Sequence, residues 1–140
     1  MKISLKLKLL WIIIAIAIFA VVTIFVNHNL YPLKVGNYGT DIKTPDKNNL
    51  TIKEVTYRAI VKNKSNKPID FKLNFNKNEK DREWYVYYDI IPDNYTSDIC
   101  HLEPQELQIF EFKETINYVT TKTITSGYEN MKIKYEIIKN

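Results

Sequence analysis

The sequence predicts an all-β domain, an antiparallel two-sheet sandwich of about seven strands, preceded by one N-terminal transmembrane helix. Three observations carry that expectation. Residues 9–26 form 18 consecutive positions without a charge. From residue 50 onward, Val, Ile, Thr, Tyr and Phe alternate with polar residues in short runs. Turn residues separate those runs, and no segment there keeps a helical period.

The uncharged run comes first. At about 1.5 Å of rise per residue it reaches on the order of 27 Å, close to the hydrocarbon thickness of a bilayer. Backbone polar groups in hydrocarbon must be satisfied within the segment, so the run is expected to be helical despite its many isoleucines. Leu9, Trp11, Ile14, Ile18, Val22 and Val26 mark the expected anchor, and Trp11 and Tyr31 sit at the depths of the two interfacial aromatic belts. A cleaved secretory signal would end in small residues. The only such match, Ala15-Ile16-Ala17, lies mid-run and would leave an apolar stub, so a retained anchor is expected. A pilin-type signal lacks its glycine-bounded processing site and its glutamate. Lys2, Lys6 and Lys8 precede the run, and no further Lys or Arg follows until Lys34. By the positive-inside rule residues 1–8 are a cytoplasmic basic tail, and the chain after the anchor is extracytoplasmic, as in a single-pass protein of the cell membrane.

Residues 27–49 mix Asn, Gly, Pro, Thr and Asp without apolar periodicity and read as a stalk, with Pro32 and Pro45 opposing a long helix. Residues 50–140 are the expected β domain. In 51–62, Val55, Tyr57, Ala59 and Val61 share one face while Thr56, Arg58 and Lys62 largely share the other; 63–68 is a turn. Ile69, Phe71, Leu73 and Phe75 alternate with Asp70, Lys72 and Asn74, the signature of a half-buried strand. Residues 76–83 are a polar loop. Residues 84–91 are an aromatic strand with Trp84, Val86, Tyr88 and Ile90 on one face and Tyr85 and Tyr87 on the other. Residues 92–104 form the longest irregular stretch. Extended pattern resumes at 107–116 with Phe110 and Phe112 inward. Residues 119–125 read as a Thr-rich edge strand, Ser126-Gly127 lies in a turn, and Met131, Ile133, Tyr135 and Ile137 alternate in a closing strand.

Two stretches of turn chemistry carry a resemblance. Tyr57-Arg-Ala-Ile-Val-Lys-Asn63 followed by Ser65-Asn-Lys-Pro-Ile69, and Leu102-Glu-Pro-Gln-Glu106 leading into a strand, resemble the immunoglobulin-like or fibronectin-type-III-like modules that bacteria tether outside the cytoplasmic membrane. The likeness covers about residues 50–138. Gln105 stands where such modules place a glycine, and the Cys-Trp-Cys core of antibody domains is absent. The resemblance implies an Ig-like sandwich; a fold does not fix a function.

Composition narrows the function classes. The net charge of +4 owes three charges to the lysines before the anchor, leaving 17 basic against 16 acidic residues after it, so charge gives no support for a nucleic-acid partner. Eighteen lysines against two arginines, with abundant Ile, Asn and Tyr, fit AT-rich coding and a low-GC bacterium. In that setting Asn49-Leu-Thr51, Asn63-Lys-Ser65 and Asn94-Tyr-Thr96 are chance matches to the glycosylation triplet. Cys100 is the only cysteine, which excludes an intramolecular disulfide and a lipoprotein anchor just after the hydrophobic run.

No catalytic, cofactor-binding or metal-binding residue is assigned. Cys100-His101 is the one adjacent pair of soft-metal ligands, and an extracytoplasmic copper-handling domain is the first alternative function; a site needs three or four ligands, and if successive residues here are extended their side chains point apart. The same geometry opposes a Cys nucleophile with a His base. Glu103, Glu106, Glu111 and Glu114 could in principle serve a small envelope-polymer hydrolase, the second alternative, but their spacing is that of a solvated strand face. Residues 93–98 carry oxygen ligands without the spacing and glycine of an EF-hand. Tyrosine, ten residues in all, supplies contact area at low entropic cost. The leading expectation is therefore a non-enzymatic, membrane-tethered interaction or accessory module that binds a protein or envelope component, with Tyr85 and Tyr87 as its candidate partner-binding face.

Overall fold

The computed structural model describes residues 5–81, 89–118, 128–129 and 131–139. The chain divides into two units, residues 1–32 and 33–140. The first is built on α1 (Leu5–Leu30), a helix of 26 residues of which none is buried. It is long and apolar enough to cross a membrane, with a length of about 39 Å. The helix outruns the predicted span 9–26 at both ends, taking in Lys6 and Lys8 before it and residues 27–30 after it. Lysine is a good helix former, so charge ends the apolar run without ending the helix. Thr23 Oγ1 donates to Phe19 O at 2.8 Å and Asn29 Nδ2 to Phe25 O at 2.9 Å. These polar side chains are thereby satisfied by the turn before them. Pro32 stops the helix, because a residue preceding proline is driven out of the α conformation.

Among the described residues the second unit has eight strands: β1 (Leu33–Lys43), β2 (Ile52–Asn63), β3 (Ile69–Asn76), β4 (Asn94–Thr96), β5 (Cys100–Leu102), β6 (Leu107–Asn117), β7 (Tyr128–Glu129) and β8 (Lys132–Ile137). They form two antiparallel sheets. The first has the order β6-β2-β1-β7. The second centres on β3: β8 pairs along one edge, and β5 and β4 pair in turn with the beginning and the end of the other.

β2 and β3 follow the predicted alternation. Val55, Tyr57, Ala59 and Val61 of the first sheet, and Ile69, Phe71, Leu73 and Phe75 of the second, are buried in one cluster. Phe110 and Phe112 pack against it from β6, Ile133 and Tyr135 from β8. Ring contacts join the sheets: Tyr57 to Phe75 with centroids 5.3 Å apart, Phe71 edge-on to Phe110 at 5.6 Å, and Phe75 edge-on to Phe112 at 6.1 Å. Each such pair contributes about 0.5–1.5 kcal/mol beyond its buried area.

Three expectations need correction. Residues 33–43, read as part of a stalk, are β1, paired with β2 over its whole length. The register jumps between Asn37 and Gly39, leaving Tyr38 as the extra residue of a bulge, and the side-chain parity changes there. Leu33 and Val35 face inward before it, Thr40 and Ile42 after it, so no single period of two runs through the strand. Gly39 has a φ of 113°, and its N–H is held by Asn37 Oδ1 at 2.7 Å. Residues 92–104, read as irregular, contain β4 and β5, each only three residues long. Between them Ser97 continues the pairing, its N–H donating to Leu73 O and its Oγ accepting from Leu73 N–H, both at 2.9 Å. Residues 89–91 are turn and bend, with Ile91 buried and Ile90 half-buried. The rest of the expected aromatic strand, and the Thr-rich strand at 119–125, lie outside the described residues.

The two turns that carry the resemblance have a physical basis. Asn63 is fully buried. Its Oδ1 accepts from Ser65 N–H at 2.9 Å and Ser65 Oγ at 2.8 Å, while its Nδ2 donates to Lys67 O at 2.7 Å, Glu103 O at 3.1 Å and Leu102 O at 3.3 Å. One amide thus closes the β2–β3 turn and ties it to the turn after β5. That second turn has Pro104 and Gln105 at its centre, closed by Glu106 N–H to Glu103 O at 3.1 Å. Gln105 adopts φ 62°, the conformation that favours glycine. Its Nε2 donates to Lys64 O at 2.8 Å and Ser65 O at 3.1 Å, an anchorage that a glycine cannot supply.

Candidate interaction surface

The sequence-predicted residues scatter. Tyr85 and Tyr87 lie outside the described residues. Leu9, Trp11, Ile14, Ile18, Val22 and Val26 are all exposed on α1. Cys100 and His101 fall on opposite faces of β5. Cys100 is buried, with its Sγ 3.7 Å from Ser97 Oγ, and burial pushes its thiol pKa up. His101 stands outside: its Nδ1 is 2.6 Å from Asp70 Oδ1 and its Nε2 3.1 Å from Glu103 Oε1. Asp70 first and Glu103 second hold its pKa above the ordinary histidine value. Both ring nitrogens are engaged by carboxylates of the chain. Among the described residues no three His, Cys, Asp or Glu side chains are grouped to hold a metal ion.

The other carboxylates are used structurally. Glu106 Oε2 accepts from Glu103 N–H at 2.8 Å. Glu114 Oε2 accepts from the Tyr57 hydroxyl at 2.9 Å, and the Tyr57 ring stacks on Tyr95 with centroids 4.3 Å apart and an interplanar angle of 8°. Burial, followed by the Glu114 carboxylate, drives the Tyr57 pKa far up. Tyr57 is therefore core, and Tyr95 is half-buried against it.

The outward face of the first sheet carries the organised surface chemistry. Across β1, β2 and β6, Arg58 bonds both to Asp41 and to Glu111, the latter at 2.8 Å, and these two carboxylates raise its pKa. Four residues back along β2, on the same face, Glu54 lies 3.0 Å from Lys43 Nζ and 3.7 Å from Lys113 Nζ. The Lys43 hydrogen bond is the main reason the Glu54 carboxyl is held below its ordinary value. Partly exposed pairs of this kind are worth about 0.2–1 kcal/mol each, so they order the face more than they stabilise it. Towards the other end the face turns apolar. Leu107 is 59% and Ile109 48% exposed, and Ile60, the register partner of Ile109, covers Gly36. Sequence reasoning placed Phe110 and Phe112 inward; the same parity sends Leu107 and Ile109 outward, and that was the available signal for this patch.

The chain matches no protein-family model, curated protein or solved structure.

Proposed function

We propose that this protein is a membrane-tethered, extracytoplasmic accessory module. α1 is its retained single span, the basic tail stays in the cytoplasm, and an Ig-like β-sandwich outside binds a protein or envelope component without catalysis. The observation that carries the reading is α1 itself: its 26 residues bury nothing within the protein, while the second unit has its own hydrophobic core. An apolar helix of that length with no protein to cover it needs lipid. A sandwich is supported by the pairing of β1 and β2 with β6 in one sheet and of β3 with β8 in the other, which matches the A-B-E and C-F pairings of Ig-like domains. The binding role is supported by the organised outer face of the first sheet.

The test of placement is alkaline extraction of membranes and protease treatment of intact cells expressing the full chain. The protein is expected to stay in the membrane fraction and to lose its β domain to external protease. Release by alkali, or full protection from protease, would sink the reading. For the binding role, Tyr85→Ser with Tyr87→Ser is expected to abolish partner recovery while leaving the fold intact. Recovery of the same partners would remove Tyr85 and Tyr87 from the proposal.

A further inference from the structure

Among the described residues β6 is the longest strand at the edge of either sheet. Its 11 residues pair with β2 without interruption, from Leu107 opposite Lys62 to Asn117 opposite Ile52. None of them is buried, whereas at least every second residue of β2 and β3 is. Edge strands expose unpaired N–H and C=O groups and are normally blunted by proline, bulges or projecting charge. β6 has no proline and no bulge, and its single lysine, Lys113, turns back towards Glu54. The direction of the free backbone groups follows from the strand ends. Glu106 O accepts from Asn63 N–H at 2.9 Å and Tyr118 N–H donates to Thr51 O at 2.7 Å. Even positions therefore face β2, and odd positions from 107 to 117 point their N–H and C=O away from it, at an edge that no described strand covers.

We propose that this edge receives a second copy of the chain, β6 against β6, antiparallel about a two-fold axis at Phe112. Registers that keep the sheet faces matched differ by steps of two in pairing. Centring on Phe112 overlays the entire strand and places Glu111 opposite Lys113 of the second copy, and Lys113 opposite its Glu111. Moving the axis to residue 111 sets Glu111 against itself, and moving it to 113 sets Lys113 against itself; like charges directly opposed are destabilising. The register with the greatest overlap is thus the one whose charges are complementary. It also brings Ile109 opposite Thr115 and Leu107 opposite Asn117 at hydrogen-bonded positions, and the contact is isologous, so it closes at two copies.

Cysteine pairing tests the register in membranes carrying the full chain, in a Cys100→Ser background. Residues 109 and 115 of different copies would have Cα atoms about 5.5 Å apart, within disulfide range. In one copy they lie roughly 20 Å apart along the strand. The double variant Ile109→Cys/Thr115→Cys is expected to give a reducible dimer band, and each single variant none. A monomer band from the double variant overturns the proposal, as do equal yields from the singles or linkage only to other proteins. Both positions are exposed, so the fold should tolerate these changes. As a second arm, Glu111→Lys is expected to lower the cross-linked yield roughly tenfold, and adding Lys113→Glu to restore it. Dimer yield indifferent to the single reversal would overturn the register.

Discussion

Asn63 acts on two turns at once, because one buried amide joins the β2–β3 turn to the turn after β5. Asn63→Ala leaves the carbonyls of Lys67, Leu102 and Glu103 without this donor. It is expected to cost about 2–4 kcal/mol, read as a lower urea midpoint at unchanged slope; a shift below about 1 kcal/mol would show that the amide is dispensable. Gln105 is a finer balance. Its left-handed φ costs about 1 kcal/mol, and its two exposed hydrogen bonds return a similar amount. Gln105→Gly should therefore be near neutral, while Gln105→Ala, which keeps the strain and loses the bonds, should fall by roughly 1–2 kcal/mol; equal effects would contradict this account. His101 gives a pH dependence. With its pKa raised above the unfolded value of 6.5, it stabilises fully below that value, and the contribution is lost as pH rises through the folded pKa. Urea midpoints of the native chain and His101→Gln should differ near pH 6 and converge in alkali. A difference constant with pH would rule the linkage out.

At the level of elements, β1 separates a stalk from a strand. A Cβ on residue 36 would lie 2.9 Å from Ile60 Cγ2, and Ile60, being β-branched, has little freedom to move aside. Gly36→Ala is expected to destabilise the unit by about 1–2 kcal/mol, and less when combined with Ile60→Ala; in a stalk the change would be silent. This strand also marks where sequence reading failed. β2, β3 and β8 were legible because one uninterrupted period of two runs through each, and β6 because Phe110 and Phe112 fix its parity. β1 was not, since its bulge reverses parity midway and Gly36, Asn37 and Gly39 resemble turn chemistry. β4 and β5 were too short for any period to register. Lys53, wholly buried with its Nζ donating to Leu50 O, shows that parity can send even a charge inward. Of the candidate site, the opposite placement of Cys100 and His101 follows from strand geometry, but the three-residue strand that imposes it was not legible. The charge rows were not, because they depend on which strands become neighbours.

For the whole molecule, the division into two units has a direct consequence. Residues 33–140 contain the described core, so that fragment is expected to fold without α1 and to show one cooperative urea transition. A fragment that binds hydrophobic dye and melts without cooperativity would show instead that α1 supports the fold.

The arrangement of the second sheet also bears on how the protein is made. β3 leaves the ribosome early, but β8, which pairs with it from Phe71 to Asn76, is the last of the eight described strands to emerge, about 60 positions later in the sequence. Throughout that interval Phe71, Leu73 and Phe75 sit on a strand with one side unclaimed, and native contacts so distant along the chain form slowly. The nascent domain is then expected to need shielding of its apolar strands during synthesis. A chain released before Lys132 would be a substrate for quality-control proteolysis rather than a shortened but serviceable product.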